Sequence, residues 1–100
     1  DIVPTAEVII DEVCKFYNIT PDVLKGQTRS RDVNLARQIA MYQIRRMTSL
    51  SLKEIGKEFD GRDHTTVINS IKRIEELIKK DPEKAEIIKD ITANINSRYE

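Results

Sequence analysis

The stretch Ser51-Leu52-Lys53-Glu54-Ile55-Gly56-Lys57-Glu58-Phe59-Asp60-Gly61-Arg62-Asp63-His64-Thr65-Thr66-Val67 decides the fold. It opens on a capping-box pattern, in which Ser51 accepts from the Glu54 backbone and Glu54 reaches back to the Ser51 backbone. The spacing predicts a short helix to Phe59, with Leu52, Ile55 and Phe59 inward. Gly56 falls inside that helix, where Gly costs roughly 1 kcal/mol against Ala. Close approach of a neighbouring helix is the expected compensation. Asp60-Gly61-Arg62 breaks the pattern, and a longer helix is predicted over about 63–79, with Val67, Ile71, Ile74 and Ile78 inward. A short helix and a longer one joined by a Gly-containing turn of three or four residues fit a helix-turn-helix over about 51–79.

Upstream, Ala6, Ile9, Ile10, Val13, Phe16 and Tyr17 recur at helical spacing and predict a helix over 5–17, with Thr5 as its cap. Thr20-Pro21-Asp22 is a second start signal: a capping Thr, Pro at the first helical position, and an acid near the positive helix end. Only a short turn to about Leu24 fits before Gly26. A polar loop, Gly26 to Arg31, precedes a long helix over about 32–47. There Val33, Ala36, Ala40, Ile44 and Met47 form the apolar stripe, while Asn34, Arg37, Gln38, Arg45 and Thr48 share a different arc. Asp81-Pro82-Glu83 stops and restarts the chain, and a last helix carries Ile88, Ile91 and Ile95. The expectation is an all-α domain spanning 1–100, with about six helical segments.

One hundred residues support one core. Three Gly and three Pro leave little room for a many-turned β fold. No apolar run approaches the ~20 residues of a membrane span. There is no signal-peptide pattern and no starting Met, so the chain reads as a piece of a longer protein. The single Cys, Cys14, excludes an internal disulfide and a Cys-based zinc site. Its place in an apolar helical pattern makes it a small buried hydrophobe.

Net charge is zero, but its distribution is uneven. Residues 1–24 hold one basic and five acidic residues, a balance of −4. Residues 25–53 hold seven basic residues against Asp32 alone, a balance of +6. The remaining stretches, 54–81 and 82–100, come to −1 each. A local basic patch bears on nucleic-acid binding more than the total does.

Catalysis finds little support. His64 is the only histidine, and Asp63 beside it does not face it on a helix. No motif places a nucleophile, no metal signature exists, and no Gly-Lys-Ser/Thr phosphate loop is present. The chain is therefore not expected to be an enzyme, to bind a metal or to carry a cofactor. In a helix-turn-helix, by contrast, the first residues of the second helix meet base edges in the major groove. Here those are Asp63, His64 and Thr65, with Thr66 behind them. Asp can accept from the cytosine amino group, His can donate to purine acceptors, and the Thr methyl can contact a thymine methyl. The blander alternative makes Asp63 a helix cap and His64 a solvated side chain. Arg29-Ser30-Arg31 could reach into a minor groove as an extended arm. Arg37, Gln38, Arg45 and Thr48 could follow a phosphate backbone, joined by Lys53 and the amides opening the 51–59 helix. The charged residues after Lys79 read as a solvated face. A transcription regulator with the same motif, or a helical module docking an acidic protein, fits these features as well.

Arg29-Ser30-Arg31, then Ala36-Arg37-Gln38-Ile39-Ala40-Met41, then Ser51-Leu52 followed by Ile55-Gly56, then Gly61-Arg62-Asp63-His64-Thr65-Thr66-Val67 stand in one order and spacing. In these the chain resembles the C-terminal DNA-binding domain of the bacterial DnaA replication initiators, clearly over about 5–80 and loosely in the last helix. The resemblance implies binding to duplex DnaA-box sequences at a replication origin. It makes Arg29 the minor-groove base reader, and Asp63, His64 and Thr65 the major-groove readers. Ser30, Arg31, Arg37, Gln38, Arg45, Thr48, Leu52, Lys53, Arg62 and Thr66 would contact the DNA backbone. It also implies a cytoplasmic, nucleoid-associated, monomeric module open to regulatory proteins, with ATP binding confined to an ATPase domain upstream. Two departures bear on affinity more than on site choice. Asp60 stands where the family often has a first glycine, and Gln27-Thr28 make the loop less basic.

Overall fold

A computed structural model describes residues 3–100; residues 1 and 2 of the expected 1–100 span lie outside the described residues. The chain forms α1 (Ala6–Tyr17), α2 (Pro21–Lys25), α3 (Arg31–Met47), α4 (Leu52–Glu58), α5 (His64–Lys80) and α6 (Pro82–Ser97), with no strand among the described residues. The all-α expectation holds, and the bounds expected for the first five helices are met within a residue or two.

Each start is set by a side chain standing in for a missing backbone acceptor. Thr5 accepts from Val8 N, Thr20 from Val23 N and Ser30 from Val33 N. At α4 both halves of the capping box form, Glu54 N to Ser51 Oγ at 3.1 Å and Ser51 N to Glu54 Oε1 at 3.0 Å. Asp81 closes α5 through its N–H and caps α6 through its carboxylate. α1 ends at Asn18 in the left-handed region, φ 56°, its N–H returning to Cys14 and Lys15 carbonyls.

α3 is the central helix and packs on α1, α2, α4 and α5, while α6 closes the other side against α1 and α5. Its buried surface is wider than the apolar stripe read from the sequence. Ile39, Met41 and Gln43 are buried together with Val33, Ala36, Ala40 and Ile44. Gln43 reaches across to α6, donating to Thr92 Oγ1 at 2.8 Å and Ile88 O at 3.2 Å. Ile88, Ile91 and Ile95 are buried as expected. Cys14 is buried too, and burial pushes its thiol up to about 11. Phe16 departs from expectation: it is 41% exposed, because α3 covers the Ile9, Ile10 and Val13 face instead. The face after Lys79 is not wholly solvated either. Arg98 Nη1 pairs with Asp11 at 2.7 Å and Glu12 at 2.9 Å, so the C-terminus answers the acidic first helix.

The turn between α4 and α5 explains Gly56. A Cβ there would lie 2.1 Å from the Arg62 carbonyl oxygen and 3.7 Å from Val67 Cγ2. The close approach is therefore mainly the turn's own backbone, with the α5 helix second. Phe59 N and Arg62 N both donate to Gly56 O at 3.1 Å. Asp60 (φ 64°) and Gly61 (φ 73°) take the left-handed region in succession to make the reversal. Gly adopts that region freely and Asp tolerates it.

Candidate nucleic-acid interface

α5 presents its first turn to solvent. His64, Thr65 and Thr66 are exposed, while Val67, Ser70, Ile71 and Ile74 bury the opposite face. Asp63 caps the helix, its Oδ1 accepting from Thr66 N at 2.8 Å. That backbone bond is the main reason the Asp63 carboxyl lies below its ordinary value of 3.8. A lowered folded value means the cap's stabilisation is complete above the unfolded value and is lost only as pH falls through the folded one. At neutral pH Asp63 is an anion with one oxygen committed to the helix.

The front of this turn opens into a groove of about 900 Å³. Arg45 comes from α3, Leu52, Lys53 and Lys57 from α4, and Arg62, Asp63 and His64 from the turn and α5. Four cations against one carboxylate make the groove positive. Lys53 and Lys57 are exposed, and no carboxylate lies within ion-pair distance of either among the described residues. Arg45 donates once, to Leu50 O at 3.1 Å, and otherwise faces out. Leu52 is half-buried at the rim, so its inward expectation is only half met. Lys57 was not among the residues expected here. It stands one helical turn after Lys53 on the outward face of α4, and that i+4 spacing is the signal that finds it.

A second element of the surface is the α2–α3 loop. Arg29 is exposed on it, beside a hollow bordered by Gln27, Thr28, Asn34, Arg37 and Arg62. The extended Arg29-Ser30-Arg31 arm is shorter than expected, because Ser30 is the cap of α3 and Arg31 its first helical residue. Of the three, only Arg29 belongs to the loop proper, where it is exposed.

Two arginines expected on the DNA backbone are engaged in holding this loop. Arg37 is 4% exposed. Its Nε donates to Leu24 O at 2.7 Å, and its Nη2 to Thr28 O at 3.1 Å and Val23 O at 3.3 Å. Burial lowers its guanidinium, with Arg62 nearby adding to the effect. Arg37 is thus corrected from a phosphate contact to an internal strap. Arg62 donates from Nη1 to Phe59 O and Lys25 O at 2.8 and 3.0 Å, and from Nη2 to Gly26 O at 2.7 Å. It ties the helix-turn-helix turn to the loop, with only an edge left for the groove. Gln27 Nε2 adds a tie to Asp60 Oδ2 at 3.3 Å, so the two departures from the DnaA pattern meet one another.

Thr48 is also occupied. Its hydroxyl donates to Ile44 O at 2.6 Å and accepts from Leu50 N at 3.2 Å, shaping the end of α3. The amides opening α4 are partly spent, since the capping box takes those of Ser51 and Glu54. Gln38 is half-buried on the flank of α3 that faces α5, with Arg31 beside it. The structure therefore brings Arg45, Leu52, Lys53, Asp63 and His64 into one groove. It sets Arg29 on the adjoining loop, and Arg31 and Gln38 farther along α3. No cluster of three or more His, Cys, Asp or Glu that could hold a metal occurs among the described residues, and no helix is long and apolar enough to cross a membrane.

Residues 6–74 match a family model described as the bacterial dnaA protein helix-turn-helix. Over 95 residues the chain is 43% identical to the chromosomal replication initiator protein DnaA of Crocosphaera subtropica. That alignment covers 95% of this chain and 21% of the relative, so the chain spans about a fifth of the length of the curated relative.

Proposed function

The chain belongs to the bacterial DnaA helix-turn-helix family, and from that premise we propose that it binds duplex DNA sequence-specifically, at DnaA-box sequences of a replication origin. One observation carries the reading: a capped helix end whose His64 and Thr65 face outward from a groove walled by Arg45, Lys53 and Lys57. Such an end fits the major groove, which admits an α-helix and displays a distinct donor and acceptor pattern for each base pair. His64 donates to a purine acceptor and the Thr65 methyl meets a thymine methyl. Asp63 keeps the helix end fixed through Oδ1 and has Oδ2 to accept from a cytosine amino group. Arg29 enters the adjoining minor groove. Arg31, Gln38, Arg45, Lys53, Lys57 and Thr66 fix the register on phosphates, which position without reading sequence. Leu52 lends apolar contact at the groove rim.

In this role the chain binds DNA without catalysing a reaction, needs no cofactor, and acts as a monomeric module in the cytoplasm, associated with the nucleoid. ATP-dependent steps and contacts with regulatory proteins belong to the longer initiator of which it would be the DNA-reading part.

A salt series tests the reading. Four phosphate-facing cations, Arg31, Arg45, Lys53 and Lys57, should give log affinity a slope near −3.6 against log salt on a short cognate duplex. A flat response, or equal affinity for cognate and scrambled duplexes, would remove sequence-specific DNA binding and favour a module for an acidic protein.

A further inference from the structure

A second concave surface lies where α3, α5 and α6 meet. Arg31, Asn34 and Gln38 of α3, Arg73 of α5 and Lys84 of α6 border a hollow of about 340 Å³, with half-buried Leu35 and Leu77 among them. Arg31 and Arg73 are exposed and Lys84 is half-exposed. None of the three has a carboxylate within ion-pair distance among the described residues. Asp81, the cap between α5 and α6, turns its carboxylate to the start of α6, accepting from Glu83 N and Lys84 N. Three like charges around one hollow repel each other, and an anion placed there relieves that repulsion. Asn34 and Gln38 contribute amide donors beside them. The chemistry called for is an anion with charges spread along a line, as in a phosphodiester chain.

The position agrees with the chemistry. Asn34 also borders the hollow beside Arg29, so this surface continues from the loop proposed for the minor groove. α5 rises about 1.5 Å per residue, which places Arg73 roughly 13.5 Å along the axis from His64. The major groove is about 8.5 Å deep. A helix that touches base edges with its first turn has left the groove by Arg73 and stands there at the level of the phosphates.

We propose that Arg73 and Lys84, continuing from Arg31 at the edge of the recognised site, form a second phosphate track that takes the sugar-phosphate backbone of duplex DNA flanking that site on its minor-groove side. The inference rests on the DNA-binding reading above and extends its footprint.

The test uses two duplexes carrying the same recognised site. One ends at the minor-groove side of the site, and the other continues for one more helical turn, about 10 base pairs. Affinity is measured over a salt series for the unmodified chain and for the double variant Arg73→Ala, Lys84→Ala. The unmodified chain should show a slope steeper by about 1.8 on the longer duplex, the share of two extra phosphates. The double variant should show the same slope on both duplexes and keep the unmodified affinity on the short one. Should that variant unfold, the pair Arg73→Gln, Lys84→Gln, which keeps side-chain length, gives the same reading. The proposal is overturned if the unmodified chain has one slope on both duplexes, as it would if the hollow serves an acidic protein segment. It is equally overturned if the variant retains the steeper slope on the longer duplex. Failure of the unmodified chain to bind either duplex is a different result, because it removes the DNA-binding reading itself.

Discussion

His64 and Thr65 stand on the first turn of a 17-residue helix whose own cap, Asp63, fixes its start. Arg29 stands on a loop without regular structure between α2 and α3. The first support is local, made by adjacent backbone and one carboxylate. The second is assembled from a distance. Arg37 holds the carbonyls of Val23, Leu24 and Thr28 from α3, and Arg62 holds those of Lys25 and Gly26 from the helix-turn-helix turn. Two guanidiniums therefore give the loop the stance that the helix has from its own backbone. Because Arg62 belongs to the turn that launches α5, the stance of the loop is linked to the geometry of that turn. In the other direction the loop reaches α5 only through these ties to the turn, since nothing in the loop caps α5.

Changes at the turn should therefore disturb both regions, and changes in the loop chiefly the loop itself. The largest effect belongs to Gly56→Ala, which places a methyl 2.1 Å from the Arg62 carbonyl. Thermal unfolding should show a loss of about 3 kcal/mol, the upper end for overpacking. A variant as stable as the parent would mean that the turn can move, and the comparison would break.

His64→Ala acts only where bases are read. It should weaken binding to the recognised site by about 2 kcal/mol, roughly 30-fold, and leave random duplex nearly unchanged. Equal loss on both would sink the base-reading role.

Arg62→Ala tests the link itself. Unfolding should report a loss of about 1.5 kcal/mol as carbonyls lose a charged donor. Discrimination at the A·T positions assigned to Arg29 should weaken with it, while the salt slope changes by less than the value of about 1 expected of a phosphate contact. A full unit of slope with unchanged stability would return Arg62 to the DNA backbone. Arg29→Ala should relax A·T preference alone, by about 1 kcal/mol. Lost discrimination at a G·C pair elsewhere in the site would contradict a minor-groove role. The smallest effect is the Gln27–Asp60 tie, an exposed bond at 3.3 Å. A double-mutant cycle over Gln27→Ala and Asp60→Ala should give a coupling of about 0.5 kcal/mol or less.

Helix starts were legible in the sequence because a Ser, Thr or Asp cap is a local event, complete within three residues. The helix-turn-helix and the exposed first turn of α5 followed from the same kind of signal. The roles of Arg37 and Arg62 were less legible. Arg37 was grouped with Asn34 and Gln38 on an outward arc, yet it lies seven residues before Ile44, and residues so spaced share a helix face. What covers that face is the α2–α3 loop, placed by chain reversal rather than by α3's own pattern. Arg62 carried no such hint, because two of its three acceptors are backbone carbonyls 36 and 37 residues away. Charge and spacing are the same for an arginine that meets phosphate and one that ties down a loop. The exposure of Phe16, and the burial of Ile39 outside the expected stripe, have a related cause: α3 is surrounded by four helices and α1 is not.

Selection of bound duplexes from a random pool, run in parallel with the unmodified chain and with His64→Ala, tests the central claim most directly. The account expects one short site for the unmodified chain. For the variant it expects the same A·T-rich half with information lost over the adjoining base pairs. An unmodified chain that enriches no site, or a variant that enriches the full one, would contradict it.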